Sequence, residues 1–209
     1  MRRINMKNMT VSQFADSVAS NEPVPGGGSV AAICGTLSAA LSEMVANLTI
    51  GKKKYAEFEN EMKEIKDRAL VLRRKLIDYI EKDSIAYNKV MDAYRLPKAT
   101  DEEKNLRKQI IEDSSKLAAT VPLEVACISY EILPLTEAVV LRGNSNAVTD
   151  GLVAAMLART AVLSALLNVR INLGSINDEE FVKEYKAKSD ELEANTFAYE
   201  KKILEYSPF

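Results

Sequence analysis

The chain has 209 residues, with 28 Lys and Arg against 30 Asp and Glu and a formal net charge of −2. That balance argues against a general nucleic-acid binder, and the length suits a single domain that buries about 70% of the surface of its unfolded chain. Histidine is absent, which removes the commonest metal ligand and the commonest acid–base group near neutral pH. Acid–base chemistry falls to Asp, Glu, Lys, Tyr or a thiol, and neither a metal site nor a cofactor is expected.

Helical periodicity dominates, and no alternating strand stands out. Met1 to Thr10 lacks the apolar core of a signal peptide, so a cytoplasmic protein is expected. Thr10 with Gln13 forms a capping box, with Met9 and Phe14 placed as its staple, for a short helix reaching about Ser20. Then comes Pro23-Val24-Pro25-Gly26-Gly27-Gly28-Ser29. Clustered glycines mark a sharp turn or a close approach to the backbone. Ser29 is expected to cap a helix opening at Val30, whose free N–H groups would receive an anion or a polar ligand edge. This helix, running toward Thr49, is apolar on nearly every face and is expected in the middle of a bundle. Val30 to Ile50 is also the one candidate membrane span. Ser38, Ser42, Glu43, Asn47 and the alanines fit a core helix better, so no membrane partner is expected.

Gly51 and Lys52-Lys53-Lys54-Tyr55 lead to the longest element. A 4,3 stripe runs through Phe58, Met62, Ile65, Ala69, Leu72, Leu76, Tyr79, Asp83, Ala86 and Val90. Leu96-Pro97 ends this helix, and Thr100 with Glu103 caps the next. Pro122 is expected to start or kink a fresh helix and Pro134 to break it. A loop at Arg142-Gly143-Asn144-Ser145-Asn146 precedes a helix carrying Leu152 to Leu173 that stops at Gly174. Asn177-Asp178 caps a last helix, amphipathic through Phe181, Tyr185, Leu192 and Phe197. Nothing divides the chain. The expectation is one all-α domain over 1–209, an orthogonal or up-and-down bundle of long helices that pairs as a homodimer or higher homo-oligomer. Cys34 and Cys127 lie in apolar helical runs and read as reduced core residues, with a two-cysteine secreted fold as the less favoured alternative.

Several positions break the pattern. Asp83 is a carboxylate on an apolar stripe: either the stripe has drifted and Asp83 is a boundary residue in water, or it is a desolvated functional group with a raised pKa. Tyr87, one turn on, is placed to hydrogen-bond a ligand or that carboxylate. Lys52, Lys53 and Lys54 read either as a solvated basic turn at a helix end or as a grip on a carboxylate or phosphate. A helix of this length separates them from the glycine loop by about 30 Å, and antiparallel pairing in an oligomer would bring the two together. Asn168 and Asn172 either satisfy each other and nearby backbone or contact a ligand. Glu124, Arg159 and Arg170 equally suit structural ion pairs. The glycine run lacks a Gly-Lys-Ser/Thr ending and a preceding strand, so neither a P-loop nor a dinucleotide turn is supported. A nucleophile paired with histidine is impossible.

Six ordered blocks carry a resemblance. They are Pro25-Gly26-Gly27-Gly28-Ser29; Asn47-Leu48-Thr49 with Gly51-Lys52-Lys53-Lys54-Tyr55; Asp83 with Tyr87 and Leu96-Pro97-Lys98; Val121-Pro122; Gly143-Asn144 with Asp150; and Asn168-Val169 with Ile171-Asn172-Leu173. Together they resemble the formiminotetrahydrofolate cyclodeaminase/methenyltetrahydrofolate cyclohydrolase family. The fused formiminotransferase module of the bifunctional animal enzyme is absent, and Thr149 stands where a serine is expected. The resemblance implies ring closure of 5-formiminotetrahydrofolate to 5,10-methenyltetrahydrofolate with loss of ammonia, or alternatively hydrolysis of the methenyl bridge. Asp83 would relay the proton, with Tyr87 beside it. Pro25 to Ser29, Lys98, Asn144, Asn146 and Asp150 would line the folate, and Lys52, Lys53 and Lys54 would hold its glutamate tail, polyglutamylated forms included. A non-catalytic folate-binding or oligomerisation module is the alternative from another class.

Overall fold

The computed structural model of the chain describes residues 6–208, which contain helices and no strand. Residues 1–5, the first half of the segment read for a leader, and Phe209 lie outside the described residues. The α-helices are α1 Val11–Val18, α2 Gly27–Thr49, α3 Glu59–Tyr94, α4 Asp101–Tyr130, α5 Leu133–Arg142, α6 Val148–Leu173 and α7 Glu179–Leu204. Short 3-10 turns stand at Met6–Asn8, Lys53–Phe58 and Ser145–Ala147. Neighbours run antiparallel. Ser29 of α2 meets Ile80 of α3, whereas Glu43, farther along α2, meets Arg73, earlier in α3. Gly27 lies beside Asn168 late in α6, and Ser38 bonds to Ala154 near its start. The fold is the all-α up-and-down bundle that the periodicity predicts.

Local chemistry sets the helix ends. The boxes at Thr10–Gln13 and Thr100–Glu103 both close reciprocally, and Asp178 accepts the N–H of Phe181. The stripe on α3 is the spine of the core: Met62, Ala69, Leu72 and Leu76 are fully buried, and Ile65, Tyr79 and Ala86 nearly so. Each large aliphatic group contributes about 1.5–3 kcal/mol by leaving water. Facing it, α2 offers Ala31, Ala32, Gly35, Ser38 and Ala39, all buried, so the helices approach closely.

Pro122 does not break the chain, because α4 runs straight through it. Proline has no N–H for the carbonyl of Ala118, four residues back. Asn172 of α6 supplies the donor, its Nδ2 lying 2.7 Å from Ala118 O and 2.9 Å from Asn168 O. Left unpaired, that carbonyl would cost about 1–3 kcal/mol. Asn172 is therefore structural. The break expected at Pro134 is present: α4 ends at Tyr130 and α5 opens at Leu133, with Pro134 in its first turn, where a missing N–H leaves nothing unpaired.

Two further expectations are corrected. Phe197 is 48% exposed, and α7 buries Thr196, Glu200 and Ile203 instead; Phe181, Tyr185 and Leu192 do pack on the core. α2 is not central within one chain. It packs on one side only, and Val30, Cys34, Leu37, Leu41, Met44 and Leu48 form a second 4,3 stripe on its open side. Leu37 is 50% exposed there, Met44 36% and Leu48 43%. α6 has a comparable open side at Val153, Met156, Leu167 and Ile171. Both helices reach the length and hydropathy of a membrane span, and half of each such stretch is buried within the bundle.

The remaining charged candidates are structural partners. Arg159 pairs with Glu200 at 2.8 Å, Arg170 with Asp190 and Glu193, and Glu124 accepts the Tyr79 hydroxyl at 2.9 Å. Cys34 and Cys127 are unpaired and half-buried, and burial pushes both thiols up.

Candidate active site

The expected cap at Ser29 is wrong, and the reason defines the site. α2 opens at Gly27, with Gly26 as N-cap and no capping side chain of its own. Ser29 is the third helical residue and fully buried. Its hydroxyl lies 2.9 Å from the Ile80 carbonyl, to which it donates, and 3.3 Å from the Asp83 carboxylate. Asp83 also accepts the backbone amide of Ser29. A carboxylate from α3 thus caps α2 at the positive end of its dipole.

The glycines make room for this arrangement. None of Gly26, Gly27 and Gly28 has a positive φ, so close approach is their use. A Cβ on Gly28 would stand 2.1 Å from Asp83 Oδ1, and one on Gly27 would stand 3.3 Å from Asn168 Nδ2. Gly28 and Pro25 are buried, and Gly27 is open to solvent. The loop therefore admits a carboxylate of the protein itself before any ligand. Burial pushes the Asp83 carboxyl above the usual carboxylate range, and the two Ser29 hydrogen bonds pull it part of the way back. Asp83 is the desolvated group, not a boundary residue in water. Tyr87 lies half-buried one turn on and makes no hydrogen bond to Asp83 among the described contacts; Lys98 is exposed in the loop beyond α3.

The other end of α2 gathers the remaining candidates. Gly51, at φ 77°, turns the chain out of the helix, and its N–H donates to Glu59 at 2.8 Å. Lys52, Lys53 and Lys54 are exposed. Asn144 is buried and heavily bonded: its N–H donates to Thr49 Oγ1 at 2.8 Å, its Nδ2 to Leu48 O at 3.1 Å, and its Oδ1 accepts the Asn146 N–H at 3.2 Å. It pins the loop to α2, with one of its two side-chain N–H groups spent on Leu48. The Asn146 side chain is exposed, and Asp150 is half-buried in the first turn of α6. A cleft of about 330 Å³ opens here between Tyr55, Phe58, Arg142, Gly143, Ser145 and Tyr206. Sequence reasoning gave Tyr55 and Ser145 no role. Ser145 is 90 residues from Tyr55 in the chain yet 3.0 Å from its hydroxyl.

The predicted residues therefore form two clusters, one at each end of α2. Its 23 residues span about 35 Å at ~1.5 Å per residue. Pro25 to Ser29, Asp83 and Tyr87 come together at one end, and Lys52 to Lys54, Asn144, Asn146 and Asp150 at the other. Among the described residues no group of three or more His, Cys, Asp or Glu is arranged to hold a metal.

The formiminotransferase-cyclodeaminase family model matches residues 10–191. The chain belongs to that family. That family is one of folate one-carbon enzymes. It is 42% identical over 198 residues to a methenyltetrahydrofolate cyclohydrolase of Methylorubrum extorquens, covering 95% of each chain. It is 29% identical to the formimidoyltransferase-cyclodeaminase of Rattus norvegicus over 93% of its own length but spans only 36% of that protein. In three dimensions it resembles a formiminotetrahydrofolate cyclodeaminase from Thermotoga maritima, with a TM-score of 0.85, 34% identity and 96% of each chain covered.

Proposed function

We propose that the protein hydrolyses 5,10-methenyltetrahydrofolate to 10-formyltetrahydrofolate, with Asp83 as the proton-accepting group. The observation that supports this reading is a desolvated carboxylate seated on the glycine start of α2, in a chain without histidine. Water adds to the bridging carbon and gives a proton to the carboxylate. The C–N5 bond then breaks, its electron pair goes to N5, and N5 leaves protonated. Raised basicity suits the first step. The substrate carries its own electrophilic carbon, so the proposal assigns no metal or cofactor.

The choice of reaction rests on the full-length likeness to the Methylorubrum cyclohydrolase. Ammonia-releasing closure of 5-formiminotetrahydrofolate, placed first by the sequence alone, is the second reading, favoured by the likeness to the Thermotoga cyclodeaminase. There N10 attacks the formimino carbon, and Asp83 takes the N10 proton as ammonia departs.

The proposed working unit is a cytoplasmic homodimer. A two-fold axis across α2 sets its open apolar stripe against the same stripe of a second copy, antiparallel. The glycine end of one subunit then meets the lysine end of the other, and a folate lies where they meet, its ring between Asp83 of one subunit and the Tyr55 end of the other and its glutamate tail reaching out to Lys52 and Lys53. Incubation with each folate in turn, following methenyl absorbance and ammonia, tests the reading. Loss of methenyl absorbance without ammonia supports hydrolysis, and ammonia with new methenyl absorbance transfers the assignment to the second reaction. Folate binding with no turnover would sink both and leave a binding module.

A further inference from the structure

At the lysine end of α2, three side chains form a cluster that the reaction as written leaves unused. The phenol oxygen of Tyr55 accepts the backbone N–H of Ser145 at 2.9 Å and lies 3.0 Å from the Ser145 hydroxyl. Lys54 donates to that same hydroxyl at 3.2 Å, its ammonium 5.0 Å from the centre of the Tyr55 ring. Asn144 holds the loop that presents Ser145 by its bonds to Leu48 and Thr49. Both Tyr55 and Ser145 line the cleft.

This arrangement has two proton positions. With Tyr55 protonated, its hydroxyl donates to Ser145 Oγ, which also accepts from Lys54, and the serine hydrogen is left to point into the cleft. With Tyr55 ionised, the serine hydrogen turns back to the phenolate, which then accepts two hydrogen bonds. The Ser145 hydroxyl, the Ser145 amide and Lys54 together pull the phenol down from 10 to about 8. Of the charged groups around the cleft, Lys54 is the one that acts on it. Arg142 is held by Glu61 at 2.5 Å, Glu59 is engaged by the Gly51 amide and Lys63, and the Tyr206 hydroxyl turns to Glu137.

We propose that Tyr55, through the Ser145 hydroxyl, is the proton donor to the departing nitrogen, opposite the Asp83 carboxylate of the second subunit. The inference rests on the folate reading and on the subunit pairing given above. In both candidate reactions a carbon–nitrogen bond breaks and its electron pair stays on nitrogen. The serine O–H breaks as the new N–H forms, the phenol proton moves to the serine, and the phenolate regains a proton from water. Below about pH 8 the phenol keeps its proton, the form in which it can donate.

The test is the pH profile of kcat and KM for the wild type, Tyr55→Phe and Lys54→Met, alongside Asp83→Asn. Tyr55→Phe is expected to lower kcat by about 10²–10⁴-fold with KM within a few-fold, and to abolish the alkaline fall of activity near pH 8. Lys54→Met is expected to move that fall to higher pH. Mixing Asp83→Asn and Tyr55→Phe subunits is expected to restore about a quarter of wild-type turnover, because half of randomly formed dimers then hold one intact site of two. Tyr55→Phe with wild-type kcat, or with a changed KM alone, would overturn the donor role, and the folate reading would stand on the inactivity of Asp83→Asn. A wild-type protein inactive on both folates overturns the reading and this inference together.

Discussion

At the glycine end of α2, a half-buried carboxylate sits among small residues and is held by one serine, and loss of water raises its proton affinity. At the lysine end, a phenol remains open to solvent, and hydrogen-bond donors with a nearby ammonium lower its proton affinity to about 8. The two ends of a single helix thus use opposite means, desolvation and donation, to draw an acid and a base toward neutrality from opposite sides. A protein without histidine can move ordinary side chains toward the pH range that imidazole covers, the carboxyl from below and the phenol from above.

Removing the carboxylate is the sharpest way to break this contrast. Asp83→Asn is expected to cut turnover by about 10²–10⁴-fold. The same exchange is expected to hold or raise the melting temperature at pH 7. The sign follows from the raised carboxyl: the unfolded chain ionises at lower pH than the native one, so it binds fewer protons between the two values. Stability therefore falls as pH rises through that interval, and an amide has no proton to lose. Melting curves at pH 4 and pH 7 for both proteins check it, and a larger loss of stability in the variant at pH 7 would sink the argument.

Separating the ends comes next. Leu37→Glu with Met44→Glu places charge on the open stripe of α2 and is expected to give helical monomers with turnover lost at substrate saturation. Sedimentation and circular dichroism read the outcome. A monomer with full activity would show that one subunit completes the site. Gly28→Ala then perturbs only the first end. Its methyl would occupy the place of Asp83 Oδ1, and displacing the carboxylate by about 1 Å is expected to cost ~10²-fold in kcat. Gly35→Ala is the control. Its methyl meets Ser129 Oγ at 2.6 Å and Leu76 Cδ1 at 2.9 Å, so it should cost about 1–3 kcal/mol of stability with the rate per folded molecule kept. The smallest effect belongs to the second end. Lys52→Gln with Lys53→Gln is expected to raise KM about tenfold for polyglutamylated substrate, the equivalent of ~1.4 kcal/mol, and less for the monoglutamate. Equal changes for both forms would remove the tail from this end.

What was legible in the sequence is what neighbouring residues decide. The capping boxes at Thr10 and Thr100, the cap at Asp178 and the α3 stripe all depend on positions a few residues apart, and Asp83 stands out because it interrupts such a stripe. The failures are long-range. The start of α2 depends on a carboxylate from Asp83, 54 positions from Ser29, which no local pattern around Ser29 reveals. Tyr55 carries no local signal because its partner lies 90 positions away. Apolar residues all round α2 announce burial but do not say whether the chain's own helices or another surface cover each side.

The bond from Asn172 to the carbonyl of Ala118 bears on how this sequence can vary. Pro122 and Asn172 stand on different helices, yet one removes a donor and the other returns it. Neither position drifts alone without loss. Among relatives, an apolar residue at 172 belongs with a residue at 122 that has an N–H to give, and the two positions are expected to change as a pair.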